Sequence, residues 1–102
     1  MSIKNSEIKK KANIYYGGKV TSRTVITPSG EMKTLGIMMP GLYRFSTEAP
    51  ERIDITQGRC RVKLPDRQEW DEFVEGQSFD VPGHSEFEIE VDELLDYVCH
   101  FG

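Results

Sequence analysis

The chain has 102 residues, 37% of them hydrophobic, and a formal net charge of −4. That length holds one domain with a thin core, which burial of surface in a homodimer would support. The acidic balance argues against a nucleic-acid-binding surface, and no apolar run is long enough for a transmembrane helix.

Residues 1–13 (MSIKNSEIKKKAN) are polar and lysine-rich. No apolar stretch follows the charges, so they do not read as a signal peptide. They read as a mobile arm with a helical turn through Glu7 to Lys11. The domain proper is expected over residues 14–102. Here short runs of Val, Ile, Tyr and Phe alternate with Gly, Pro, Asp and Ser clusters, the pattern of an all-β barrel or sandwich.

The expected strands run in order. Gly18–Ile26 ends at the Thr27-Pro28-Ser29-Gly30 turn. Glu31–Met39 ends at Pro40-Gly41, and Leu42–Thr47 follows. Glu51–Thr56 is closed by Gln57-Gly58, and Arg59–Leu64 by Pro65-Asp66. Short strands at Trp70–Phe73 and Ser78–Val81 are separated by Glu75-Gly76. Pro82-Gly83 then turns into Glu86–Val91, and Tyr97–Phe101 is expected to close the barrel.

Period-2 alternation assigns the faces. Tyr43, Phe45 and Thr47 share one face, as do Glu51, Ile53 and Ile55. Ser85, Phe87, Ile89 and Val91 share another, and so do Tyr97, Cys99 and Phe101. All are expected inside. Arg52, Asp54, Glu86, Glu88 and Glu90 fall on the opposite, solvent face. Cys60 and Cys99 form no CxxC motif; without a secretory signal they read as reduced core thiols of a cytoplasmic protein.

Two segments carry chemistry: FSTEAPERIDITQG at 45–58 and FDVPGHSEF at 79–87. Their spacing resembles the two motifs of the cupin superfamily. The first motif has HxH, then Glu, then Gly; here those positions hold Phe45, Thr47, Glu51 and Gly58. In the second motif Gly76 and Pro82 fit, and the final histidine position holds Phe87. Three of the four usual metal ligands are therefore replaced, and Glu51 alone is no metal site. A jelly-roll cupin barrel with a retained cavity, no metal and no cofactor is the expectation.

GGKV, FSTEAPE, LPD, FDVPGHSEFEI and the terminal YVCHF together resemble the pyrimidine/purine nucleoside phosphorylase family, short bacterial cupins of about this length. The resemblance covers about residues 15–101. It implies a pentosyl transfer in which a nucleoside and inorganic phosphate give a free base and ribose 1-phosphate, with broad base tolerance and a homodimer. The N-terminal arm and the SGEMKT segment depart from the family pattern, which bears on substrate access.

Such a reaction needs donors for phosphate, an acceptor for ribose hydroxyls, a proton for the leaving base and an apolar slot for the ring. Glu51 is the candidate hydroxyl acceptor; the plainer alternative is a buried carboxylate satisfied by neighbouring hydroxyls. His84 is the candidate acid or phosphate donor, against a loop residue that only caps the Pro82-Gly83 turn. Ser46 and Ser85 could meet phosphate, or simply cap turns. Thr47 lies on the same face as Tyr43 and Phe45. Tyr43, Phe45 and Phe87 could stack on the base, or be plain core, and the Tyr97 hydroxyl needs a partner if buried. Arg23, Lys19, Arg44, Arg59 and Arg61 are the cations that could face phosphate, and a partner subunit could supply another. A cupin that binds a small ligand without catalysis is the main alternative function. A metal site from His84, Glu51 and His100 is the third.

Overall fold

The computed structural model describes residues 2–102. Among the described residues nine strands form one set of antiparallel ladders: β1 (Glu7–Ile8), β2 (Asn13–Tyr15), β3 (Val20–Ile26), β4 (Met32–Met38), β5 (Gly41–Ser46), β6 (Glu51–Lys63), β7 (Asp71–Val74), β8 (Ser78–Val81) and β9 (Glu86–Phe101). A 3-10 turn at Tyr16–Gly18 links β2 to β3, and no α-helix occurs among the described residues. The fold is all-β, as the spacing of turn residues predicts.

The strands expected from residue 18 onward form in the expected order, but β1 and β2 have no expected counterpart and two joins differ. Gln57-Gly58 and Asp92-Glu93 carry turn-forming residues, yet β6 and β9 run straight through them. Register shifts between Ile55 and Cys60 bend β6 instead. A bulge lets a strand turn a corner without ending. Both long strands thereby change neighbours midway. The first half of β6 pairs β8 and its second half pairs β7. The first half of β9 pairs β5, and its second half pairs β4. β9 thus does not close a barrel as its last strand. It runs through the middle of the sheet path β1-β3-β4-β9-β6-β7, which does not return on itself.

The residues expected as a helical turn, Glu7–Lys11, lie along β3 instead. Glu7 and Ile8 pair with Ile26 and Val25. The Lys9 N–H bonds the Thr24 carbonyl, and the Arg23 guanidinium donates to the Lys10 carbonyl. This arm covers part of a sheet edge, a place where lysines also discourage strand addition.

The inward faces are largely those read by alternation. Tyr43, Thr47, Ile53, Ile55, Phe87, Ile89, Val91, Tyr97 and Cys99 are all buried. Phe79 of β8 packs between Phe73 and Phe87, with ring centroids 4.9 and 6.1 Å away, and so stitches the two ends of the core. The acidic run of β9 faces outward and is matched across the ladder: Arg44 pairs with Glu88 at 3.1 Å, Arg61 with Glu90, and Arg59 and Arg61 approach Asp92. Exposed cross-strand pairs of this kind add little individually but favour this register.

Candidate active site

β5 and β9 are in register at Phe45 and Phe87, so two positions where cupins place metal ligands stand directly opposite each other. Their rings lie 5.8 Å apart and form one wall of a cavity of about 170 Å³. The floor comes from β3, β4, β6 and β9, where polar Ser22, Thr34, Glu51, Tyr97 and Cys99 are interspersed with apolar Met38, Ile53 and Phe101. Tyr15 and Ser46 line the cavity while remaining exposed, which puts them at its mouth. An aromatic wall facing a hydroxyl- and carboxyl-bearing floor suits a ligand with one flat apolar face and one hydroxylated face.

The floor is set by backbone register. Gly36 of β4 lies opposite Tyr97 of β9. A Cβ on Gly36 would come within 2.7 Å of the Tyr97 hydroxyl and 2.4 Å of the Thr21 carbonyl. Only glycine leaves room for the phenol to lie there. Burial pushes the Tyr97 phenol up to about 12, against a hydrogen bond from Ser22, so it remains a neutral O–H donor. Burial likewise raises the Glu51 carboxyl above its ordinary value, opposed by the Cys99 S–H, which donates to Oε1 at 3.4 Å. A partly buried carboxyl beside neutral donors holds its proton more tightly than a solvated one and, when ionised, accepts a hydroxyl hydrogen bond.

Five expected site residues meet in this cavity: Phe45, Ser46, Glu51, Phe87 and Tyr97. Four do not line it. The Tyr43 hydroxyl donates to the Met39 carbonyl at 2.6 Å, and its ring packs on Tyr16. The Thr47 hydroxyl donates to the Pro82 carbonyl at 2.7 Å and accepts the Ser85 N–H at 3.1 Å, while the Ser85 hydroxyl also donates to Pro82. These two therefore lock the Pro82–Ser85 turn to the segment leading into Glu51. His84 is exposed on that turn, with its N–H bonded to the Glu48 carbonyl. Its φ is +51°. A left-handed conformation costs a side chain about 1–2 kcal/mol, although histidine tolerates it better than most.

Among the described residues no Lys, Arg or His lines the cavity. Arg44, Arg59 and Arg61 are paired on the outer face of β5, β6 and β9, Arg23 is held by Lys10, and Lys19 lies exposed before β3. Among the described residues no three His, Cys, Asp or Glu side chains come together as a metal site. His100 is held on the outer face between Lys33 at 2.8 Å and Asp54 at 2.6 Å. Because the Lys33 ammonium can only donate, Nδ1 accepts and Nε2–H points to Asp54.

Sequence reasoning missed Tyr15, Ser22, Thr34 and Met38 in the lining. Alternation in β3 and β4 would have put Ser22 and Gly36 on one face with Val20 and Met38, the signal for Ser22. Tyr15 precedes the first expected strand and gave no such signal.

A family model for "Pyrimidine/purine nucleoside phosphorylase" matches residues 10–101. A protein of that name from Cupriavidus metallidurans is 52% identical over 98 residues, covering 96% of this chain and 95% of the relative. One from Methylobacillus flagellatus is 47% identical over 97 residues, covering 95% and 94%. A crystal structure of a protein of unknown function from Acinetobacter sp. ADP1 superposes with a TM-score of 0.95 at 47% identity, covering 99% of this chain and 98% of that one. An RmlC-like cupin from Shewanella frigidimarina superposes at 0.70 with 16% identity, covering 95% and 83%, and so shares the fold.

Proposed function

This chain belongs to the pyrimidine/purine nucleoside phosphorylase family, and from that premise we propose that it carries out phosphorolysis of nucleosides with broad base tolerance. A phosphate oxygen forms the new bond to the anomeric carbon while the glycosidic C–N bond breaks. The leaving nitrogen keeps the electron pair and takes a proton. The products are a free base and ribose 1-phosphate.

The observation that carries this reading is the pairing of the Phe45–Phe87 wall with the Glu51 carboxyl across one cavity. The base stacks against the rings, and Glu51 accepts the ribose hydroxyls. Tyr97 supplies a neutral donor to the sugar or base. Phosphate sits at the mouth, met by the Ser46 hydroxyl. His84 serves phosphate or the leaving base from the Pro82–Ser85 turn, which Thr47 and Ser85 tie to the Glu51 segment. A positively charged group from a second subunit fits the same place, since none lines the cavity. Glu51→Gln and His84→Ala are each expected to lower phosphorolysis by about 10²-fold or more while remaining folded. Near-wild-type turnover in both would reject the site.

One observation favours a second reading, a cupin that binds a small ligand without catalysis: the cavity offers no cation for phosphate. Ligand binding without phosphate-dependent turnover would select it. We place the protein in a reducing cytoplasm, since both cysteines are buried and free. No helix is long and apolar enough to cross a membrane.

A homodimer completes the proposal. Ile14, Ile37, Leu35 and Val98 lie on the outer face of β2, β4 and β9, linked by register. Ile14 is 65% exposed, Ile37 43% and Leu35 38%. An apolar patch of this kind on a thin-cored domain suits a second copy.

A further inference from the structure

Glu51, Cys99 and Thr34 lie on three adjacent strands, β6, β9 and β4. Cys99 lies directly opposite Thr34 on one side and Ile53 on the other. All three polar residues line the cavity. Cys99 is 5% exposed and forms no disulfide. Its Sγ lies 3.4 Å from Glu51 Oε1, and this is the one side-chain hydrogen bond the Glu51 carboxyl makes among the described residues.

We propose that Cys99 is a positioning residue for Glu51: its S–H holds one carboxylate oxygen and leaves the other free for a substrate hydroxyl. This rests on the reading that Glu51 accepts ribose hydroxyls. Burial first, and then the Glu51 charge and hydrogen bond, push the thiol far above its ordinary value. Cys99 is therefore a fixed S–H donor and not a nucleophile, since nucleophilic cysteine needs a thiolate. A thiol is also a weak donor. It orients the carboxyl while doing little to oppose the desolvation that keeps the Glu51 proton affinity high. A serine at 99 would orient it too, but would bind the carboxylate more strongly.

The other titratable groups around Glu51 are few. Tyr97 of β9 shares the cavity. On the outer side, Glu31, Arg52, Asp80 of β8 and His100 of β9 line an open groove that also reaches Glu51. Arg52 and Asp80 neutralise each other through a two-point ion pair at 3.0 and 3.2 Å, and His100 is held by Asp54. None of these makes a hydrogen bond to the Glu51 carboxyl, whereas Cys99 does.

The test uses the whole protein and two variants, Cys99→Ser and Cys99→Ala, each checked for folding by circular dichroism. The Glu51 side-chain carboxyl is titrated by carbon NMR in the ligand-free state, and kcat and KM are measured against pH with uridine and phosphate. Serine is expected to move the Glu51 titration to lower pH, and alanine to higher pH. The acid limb of kcat/KM should follow each shift. Alanine should also raise the uridine KM by about 3- to 10-fold, the scale of losing one ordinary hydrogen bond. An unchanged Glu51 titration in both folded variants overturns the proposal, whatever the activity. Shifted titrations together with a fully active Glu51→Gln enzyme would uphold the Cys99–Glu51 coupling and reject the hydroxyl-acceptor role on which the proposal rests.

Discussion

At the scale of single residues, the site holds two arrangements that cost stability. Burial raises Glu51 above its ordinary proton affinity. A carboxyl whose folded pKa exceeds its unfolded value contributes stability below the unfolded value, near pH 4, and loses it as pH rises through the folded value. His84 holds a φ of +51°, the left-handed region that favours glycine. Glu51→Gln should therefore melt higher than wild type at pH 7, with the gain shrinking toward pH 4. His84→Gly should gain up to about 1 kcal/mol at any pH. Both should lose phosphorolysis. Calorimetry of the two variants at pH 4 and 7 checks this; a destabilised Glu51→Gln would mean the carboxylate is held for structure. Glu51 was legible as an inward residue because alternation in β6 places it with Ile53 and Ile55. The burial that raises its proton affinity, and the Cys99 S–H that opposes the rise, were not, because both come from strands distant in the chain, Cys99 lying 48 positions away.

At the scale of elements, the sequence misleads where a glycine serves a bulge and not a turn. Gly58 has φ +100°, and a Cβ there would lie 2.3 Å from the Leu94 carbonyl of β9. That close approach lets β6 and β9 stay paired around the corner, and from sequence it is indistinguishable from a Gln-Gly turn. Residues 92–96 likewise fall between two expected strands, because the arginines of β6 that approach Asp92 are known only once the register is known. Strand interiors were legible, since each has one buried face. Gly58→Ala should cost about 1–3 kcal/mol from the forced close contact, with added strain from the positive φ. Urea denaturation measures it; a change below about 0.5 kcal/mol, within the range of an ordinary surface substitution, would show that the corner relaxes freely.

At the scale of the molecule, the chain is a single all-β domain of cupin type whose two long strands carry both the fold and the site. β9 supplies Phe87, Tyr97, Cys99 and Phe101 to one cavity, and β6 supplies Glu51 and Ile53. The outer face of β2, β4 and β9 leaves Ile14, Leu35 and Ile37 exposed. Light scattering should report a dimer at micromolar concentration, and Ile37→Glu with Leu35→Lys should shift it toward monomer; a wild-type monomer would contradict the assignment of that face. The central claim is that phosphate, not water, takes the ribose. Purified protein is given inosine or uridine with and without inorganic phosphate, and base release is followed together with the phosphorus NMR signal of ribose 1-phosphate. The account predicts equal amounts of free base and ribose 1-phosphate, from both nucleosides, and only when phosphate is present. Base release that ignores phosphate, or no release from either nucleoside, would contradict it.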